Sequence, residues 1–154
     1  MPATRAIDVV SDANVALKWF HAEGEEEVEP ARALLAGHRE RTVALRLLDL
    51  TPYEVGNVLL RGRLGVSAER VAAVLGALNE ICPRITPTSE DLGQAAALAE
   101  AHGLTLYAAA YAAVARRRHA ELATLDGELL RAGLGRRPSD LAADLPAMRR
   151  GAAP

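Results

Sequence analysis

The stretch Ile7-Asp8-Val9-Val10-Ser11-Asp12 decides the fold, because an apolar run long enough for one buried strand ends there at an aspartate. A second run, Leu122-Ala123-Thr124-Leu125, ends in the same way at Asp126, near the other end of the chain. In an open parallel sheet, buried strands are nearly continuous apolar runs, and their carboxyl ends share the edge where ligands bind. We therefore expect Asp12 and Asp126 to lie together at the carboxyl edge of one sheet.

Predicted strands and helices alternate along the chain between these two runs. Strands are predicted at residues 6–11, 42–47 and 84–86, before Asp126, and at 134–136. Helices are predicted at residues 13–20, 23–38, 51–61, 67–81, 88–102 and 105–118. This alternation is typical of an α/β fold in which helices cover both faces of a mostly parallel sheet. The length suits a single domain over residues 1–154, with a core at about 6–137 and a tail at about 138–154.

Composition excludes several classes of protein. The net charge of −2, with Lys18 as the only lysine, argues against a chain that wraps nucleic acid by bulk electrostatics. Cys82 is the only cysteine, so a disulfide framework and a cysteine-based zinc site are both excluded. No apolar stretch approaches the roughly 20 residues of a membrane span, and the residues before the first strand leave no room for a signal peptide. We expect a cytoplasmic protein that does not associate with membranes.

Glu54 is a third acid that the fold can bring to the same edge. Thr51-Pro52-Tyr53-Glu54 has the pattern of a helix start, with an N-cap, a proline in the first turn and an acid three residues after the cap. Carboxylate oxygens are the ligands that Mg²⁺ prefers, and clustered carboxylates repel one another unless a cation is present. Taken singly, each acid has a structural alternative, as an N-cap for Asp12 and Asp126 and as half of a capping box for Glu54. Taken together, they favour a divalent metal site.

Four motifs follow one another along the chain. They are Val10-Ser11-Asp12-Ala13-Asn14-Val15-Ala16-Leu17-Lys18-Trp19-Phe20, Tyr53-Glu54-Val55-Gly56-Asn57-Val58-Leu59, Leu104-Thr105-Leu106-Tyr107-Ala108-Ala109-Ala110-Tyr111, and Leu122-Ala123-Thr124-Leu125-Asp126. In this order they resemble the motifs of the PIN-domain nucleases, and most closely those of the VapC-type toxins of bacterial toxin–antitoxin pairs. The resemblance covers about residues 6–134.

The resemblance implies a three-layer α/β/α PIN-like domain with a mostly parallel central sheet and with the first and fourth strands adjacent. It implies an endoribonuclease that depends on Mg²⁺ or Mn²⁺ and hydrolyses structured RNA. Asp12, Glu54 and Asp126 would then be the catalytic and metal-binding acids. It also implies two protein partners: a second copy in a homodimer, and a cognate antitoxin whose C-terminal segment fills the active-site groove.

Ala108 stands where the third motif of that family carries an acid. Local physics also favours an acid here, because Thr105 is the predicted N-cap and position 108 is then the third residue of the helix. Alanine is a strong helix former, so the fold should be retained while a metal ligand is lost. Ala108 is either an inactivating substitution or the mark of a natural chain that has lost catalysis. Both explanations predict weakened metal binding and cleavage.

Three polar residues are candidates for supporting the acids. Asn14 lies two residues after Asp12 and could orient a carboxylate or a water molecule; a solvent-facing residue of the first turn is the alternative. Thr124 lies two residues before Asp126, so its hydroxyl could point to the same edge; a β-branched residue that packs within the strand is the alternative. Asn57 lies one helical turn after the acid of the second motif and could orient it.

The densest basic run is Arg116-Arg117-Arg118, at the end of the sixth predicted helix. These arginines could contact RNA phosphates, or could simply provide favourable charge at a helix C-terminus. Two functions from different classes therefore stay open. One is the metal-dependent ribonuclease toxin, and the other is a catalytically inactive PIN-like module that binds RNA or a partner protein. A nucleotide-binding domain is disfavoured, because no glycine-rich phosphate loop follows the first strand.

Overall fold

The centre of the molecule is a parallel sheet. The computed structural model describes residues 5–21, 25–62 and 65–145. Within them the strands β1 (Ile7–Ser11), β2 (Val43–Leu48), β3 (Arg84–Ile85) and β4 (Glu121–Ala123) form a four-stranded sheet in the order β3-β2-β1-β4. All three pairings are parallel, and Val9 on β1 lies opposite both Leu45 and Glu121. The predicted adjacency of the first and fourth strands is confirmed, so their carboxyl ends meet at one edge.

Helices cover both faces of the sheet. In chain order they are α1 (Ala13–Leu17), α2 (Val28–Arg39), α3 (Thr51–Arg61), α4 (Ala68–Ile81), α5 (Ser89–His102), α6 (Leu106–Arg117), α7 (Gly127–Arg131) and α8 (Pro138–Ala142). Successive side chains of a strand point to opposite faces. Val9 accordingly packs with α1 to α4 and α8, whereas its neighbour Val10 packs with α5 to α7. The predicted three-layer α/β/α arrangement is confirmed.

Most predicted boundaries agree with the structure to within one or two residues, with exceptions at α1, α2 and β4. Helix α1 ends at Leu17 rather than at residue 20, and β4 ends at Ala123 rather than beside Asp126. Helix α2 begins at Val28 rather than at residue 23. Glu27, just before it, has a φ of 62°, a left-handed conformation that cannot continue a helix. Residues 22–24, where the helix was predicted to start, lie outside the described ranges.

The C-terminal part of the described chain belongs to the core rather than to a tail. The predicted strand at residues 134–136 is reduced to a single parallel bridge between Arg136 and Ala123. Beyond it, Leu141 and Leu145 are buried in the same cluster as the α2 side chains. The core therefore extends beyond residue 137, at least to Leu145, while the predicted frayed end at residues 149–154 lies outside the described residues. No helix in the described ranges is long and apolar enough to cross a membrane.

Candidate active site

Three carboxylates from separate elements line one cavity of about 380 Å³. Asp12 follows β1, Asp126 lies just beyond β4, and Glu54 lies in the first turn of α3. Ala108, in the first turn of α6, lines the same cavity. The parallel sheet brings these positions together, because the strands before Asp12 and Asp126 are adjacent and run in the same direction.

Thr124 joins the two aspartates through hydrogen bonds. Its hydroxyl donates to Asp12 Oδ2 at 2.8 Å and accepts from the Asp126 backbone N–H at 3.0 Å. The other oxygen of Asp12 accepts from the Ala13 N–H at 2.7 Å, so Asp12 also caps α1. Asp126 likewise caps α7 by accepting from the backbone N–H groups of residues 128 and 129. The capping alternative is therefore correct for both aspartates and coexists with their position in the cavity.

Burial and mutual repulsion disfavour negative charge in this cavity. Asp12 is 6% exposed. Its pKa rises from 3.8 to about 6, chiefly through burial and further through the charge of Asp126, while hydrogen bonds from Thr124 and Ala13 oppose the rise. Burial also raises the pKa of Glu54, with Asp12 adding to the shift and a hydrogen bond from Tyr111 opposing it. A bound cation would relieve this repulsion.

Thr51 differs from its predicted role as an N-cap. The N-cap of α3 is Leu50, and Thr51 is the first helical residue. The Thr51 hydroxyl instead accepts from the Leu48 N–H at 3.1 Å and lies 2.7 Å from the Tyr111 hydroxyl, which donates to Glu54 Oε1 at 2.9 Å. The capping-box alternative for Glu54 is therefore wrong, because the turn after β2 buries the Thr51 hydroxyl inside the fold.

The two asparagines have different positions. Asn14 lines the cavity, and its side-chain oxygen accepts from the Leu125 N–H at 3.2 Å, which ties α1 to the segment before Asp126. Asn57 is exposed and lines a separate groove beside α4, so the structure does not bring it to the carboxylates. Of the three supporting candidates, only Asn14 lines the cavity, while the fully buried Thr124 contacts the site through its hydrogen bonds to Asp12 and to the Asp126 backbone.

Ala108 occupies the position that the local pattern predicts. Thr105 is the N-cap of α6, and its hydroxyl accepts from the Ala108 N–H at 3.1 Å, which makes position 108 the third residue of the helix. The Ala108 side chain is half-buried against the cavity. An acid at this position would add its carboxylate to a cavity that three others already line.

Sequence reasoning missed two residues that shape this edge of the sheet. Tyr111, fully buried in α6, is one of them, and its motif position gave no sign of a contact with Glu54. Gly135 is the other, because a Cβ atom there would lie 2.5 Å from Thr124 Cγ2 and 3.3 Å from the Leu122 carbonyl oxygen. Only glycine lets this backbone approach Thr124 so closely. The need for glycine becomes visible only in the folded structure, because Thr124 is not a neighbour of Gly135 in the sequence.

The arginine run lies at the opposite end of α6 from the residues that line the cavity. Arg116 and Arg117 are in the last turn of α6, whereas Ala108 is in the first turn. Arg117 donates to Asp91 at 2.6 and 3.0 Å, and Asp91 is buried at the start of α5 in a capping box with Thr88. For Arg117, this placement favours the structural alternative over an RNA contact.

The carboxylates at the cavity could hold a cation only with water molecules completing its coordination. Within the described ranges, no group of three or more His, Cys, Asp or Glu side chains is close enough to enclose a metal ion. Mg²⁺ usually keeps several waters and binds proteins through one or two carboxylates. Asp12 and Asp126, linked through Thr124, provide such a pair, and Glu54 faces the same cavity.

Known proteins resemble this chain in sequence over most of its length. The sequence profile of the PIN domain matches residues 9–134. The ribonuclease VapC3 of Pyrobaculum aerophilum is 38% identical over 109 residues, which cover 68% of this chain and 80% of that protein.

Two solved structures share the fold. The crystal structure of PAE2754 from Pyrobaculum aerophilum has a TM-score of 0.67 at 28% identity, covering 92% of this chain and 98% of the other. That of VapC20 from Mycobacterium tuberculosis, a sarcin–ricin loop cleaving toxin, has a TM-score of 0.64 at 20% identity, covering 81% and 95%.

Proposed function

The chain belongs to the PIN-domain family, and from this premise we propose that it is a VapC-type ribonuclease, the toxin component of a toxin–antitoxin pair. We propose further that it hydrolyses RNA phosphodiester bonds internally and depends on Mg²⁺ or Mn²⁺. Asp12, Glu54 and Asp126 would be the catalytic and metal-binding acids. The observation that carries this proposal is the cavity in which these carboxylates converge from three separate elements.

A divalent ion would complete the chemistry of this site. When bound, it would neutralise charge on the phosphodiester and lower the pKa of a water molecule. Asp12 and Asp126 would hold it, and Thr124 would keep the two carboxylates in register through its hydroxyl and the Asp126 N–H. Glu54, which faces the same cavity from α3, would be the third metal-binding acid. The raised pKa of Asp12 supports this assignment, because a cation stabilises a carboxylate that burial otherwise disfavours.

Catalysis in this chain is impaired by Ala108. The α6 side of the cavity presents a methyl group at the point where the family has an acid, so one metal-binding side chain is missing. Since the cap at Thr105 is intact and alanine favours helix, the loss affects the site rather than the fold. The alternative is a catalytically inactive PIN-like module that binds RNA or a partner protein.

Comparing the chain with its Ala108→Asp variant tests the proposal. Both are incubated with total cellular RNA in Mg²⁺, in Mn²⁺ and with a chelator, after circular dichroism has established that each is folded. We expect the variant to cleave at least about 10-fold faster than the parent, because losing even a supporting group of a metal site typically costs that much, and we expect the chelator to abolish all cleavage. Ala108→Asn is the matched control, because it has the same size and cap geometry without the negative charge.

The outcomes separate the two functions. Chelator-sensitive cleavage by Ala108→Asp alone would support the ribonuclease and identify the parent as a disabled form. Full cleavage by the parent would contradict the proposed impairment. If none of the three folded proteins cleaves RNA, the result would favour the binding module.

Protein partners form part of the same proposal. A further structure with the same fold is a toxin–antitoxin complex from Klebsiella pneumoniae, with a TM-score of 0.58 at 17% identity. In this chain, the groove beside α4 has an apolar lining that includes Val71, Leu75 and the 51% exposed Leu60. We propose a cytoplasmic homodimer that binds a cognate antitoxin. Size-exclusion chromatography with light scattering tests the dimer.

A further inference from the structure

A line of hydrogen bonds runs through the protein interior and ends on Glu54. It begins at the Leu48 N–H at the end of β2, which donates to Thr51 Oγ1 at 3.1 Å. Thr51 Oγ1 lies 2.7 Å from the Tyr111 hydroxyl oxygen, and that hydroxyl donates to Glu54 Oε1 at 2.9 Å. The line thus connects the central sheet, α3 and α6 to one carboxylate oxygen of the cavity.

The chemistry of the groups fixes the direction of this line. A backbone N–H can only donate, so Thr51 Oγ1 accepts from Leu48, and its own hydrogen is free to point to Tyr111. The Tyr111 hydrogen is then available for Glu54, whose ionised carboxylate can only accept. The reverse arrangement would set oxygen lone pairs of Tyr111 against those of the carboxylate. Each hydroxyl therefore donates once and accepts once, and the line points toward Glu54.

Packing alone does not require these hydroxyl groups. Thr51 and Tyr111 are both fully buried, and the Tyr111 ring packs among apolar side chains of α5, α6 and β1. A phenylalanine ring would fill the same space without the cost of burying a hydroxyl. What the hydroxyls add is a fixed partner for Glu54, a long side chain that otherwise samples several rotamers. No hydrogen bond from the described residues reaches the second oxygen of Glu54, which stays available to the cavity.

We propose that Tyr111 and Thr51 are positioning residues of the carboxylate site. They hold the Glu54 side chain through Oε1, so that its second carboxylate oxygen faces the cavity and is free to bind a ligand there. The assignment of Glu54 to the reaction rests on the proposed function, whereas the positioning itself rests on the three hydrogen bonds. Residues three apart on a helix share a face. Helix α3 therefore supplies Thr51 together with Glu54, and α6 supplies Tyr111 together with Ala108, so the hydroxyl line also ties Glu54 to the helix that carries the missing acid.

Removing single hydroxyls from the full chain tests this proposal. Tyr111→Phe and Thr51→Val break the line, while Thr51→Ser keeps its hydroxyl. Tyr53→Phe is the matched control, because it removes a hydroxyl from a tyrosine on α3 that is 81% exposed. The first measurement is the side-chain rotamer distribution of Glu54, from three-bond NMR couplings in metal-free protein. The second is Mn²⁺ affinity by electron paramagnetic resonance, both in the parent chain and with Ala108→Asp.

We expect Tyr111→Phe and Thr51→Val to convert one Glu54 rotamer into several and to weaken Mn²⁺ binding at least about 10-fold, as is typical when a partner of a metal ligand is lost. Thr51→Ser and Tyr53→Phe should match the parent in both measurements. If the hydroxyls are purely structural, Tyr111→Phe should have a lower melting temperature, but below that temperature its Glu54 rotamers and its Mn²⁺ affinity should match the parent. That result would overturn the proposal.

The two measurements also separate this proposal from the proposed function. Suppose that the parent and Ala108→Asp bind no Mn²⁺, but that Glu54 loses its single rotamer in Tyr111→Phe and Thr51→Val only. The metal dependence of the proposed function is then contradicted, and the positioning of Glu54 is supported. If Tyr111→Phe does not fold, the comparison of Thr51→Val with Thr51→Ser decides. Identical Glu54 rotamers in those two variants would reject the proposal.

Discussion

Replacing Asp12 by asparagine should stabilise the metal-free protein, because Asp12 is held in a place that disfavours its charge. A rise of the Asp12 pKa from 3.8 to about 6 corresponds to about 3 kcal/mol, since each pKa unit is worth about 1.4 kcal/mol. A raised pKa means that the folded state favours the neutral carboxyl. The neutral Asp12 carboxyl therefore contributes its full stabilisation of the folded state below pH 3.8, and this contribution is lost as the pH rises through about 6.

Asparagine keeps the geometry while removing the charge. It still caps α1, because its side-chain oxygen can accept from the Ala13 N–H. Compared with the neutral acid, asparagine places an NH₂ group where an oxygen accepted from the Thr124 hydroxyl, and the loss of that hydrogen bond costs about 1 kcal/mol. At pH 8, the free energy of unfolding of Asp12→Asn should therefore exceed that of the parent by about 2 kcal/mol. For a chain of this size, this corresponds to roughly 4–8 °C in melting temperature. At pH 4 the gain should vanish or change sign.

Urea unfolding in a chelator between pH 4 and pH 8 measures this difference. Asp8→Asn is the matched control, since it removes one negative charge from β1, four residues before Asp12, at an aspartate that is partly exposed beside Arg5. An Asp12→Asn protein that is less stable than the parent at pH 8, or a difference that does not change with pH, would refute the reasoning. When Mn²⁺ replaces the chelator, the difference in stability between Asp12→Asn and the parent should become smaller, because the metal stabilises only the parent.

Two further predictions concern the α5–α6 side of the molecule. Asp91→Asn should lower the free energy of unfolding by about 2 kcal/mol at pH 7, because the buried Asp91 carboxylate accepts charge-assisted hydrogen bonds from Arg117, which is itself 42% exposed. Arg117 holds the pKa of Asp91 below its ordinary value, so urea titrations should show this loss shrinking as the pH falls; a loss independent of pH would contradict the pairing. Replacing Arg116 and Arg118 by alanine should leave the salt dependence of RNA binding unchanged, because the rise of the helix places them about 12–15 Å along its axis from Ala108 at the cavity. A slope shallower by about one unit for each arginine, measured by filter binding across salt concentrations, would assign them to RNA instead.

Local pattern was sufficient for the architecture because apolar periodicity and caps are properties of neighbouring residues. The apolar runs before Asp12 and Asp126 predict two buried parallel strands, and their adjacency in the sheet is confirmed. Ser67, Thr88 and Thr105 each cap the helix that the sequence assigns to them. The same reasoning failed at Thr51, where a cap pattern was present but a turn placed the hydroxyl inside the fold.

The sequence by itself therefore determined the alternating strands and helices, the edge at which the acids gather, and the missing acid at position 108. Only the tertiary structure decided which side chains control those acids. Tyr111 meets Thr51 across 60 residues of chain, Thr124 meets Asp12 across 112, and Gly135 is needed because another strand end passes against it. The physical reason is that a hydrogen bond depends on the distance between two atoms in space. For residues far apart in the chain, helix packing and strand register set that distance, and local residue preferences do not.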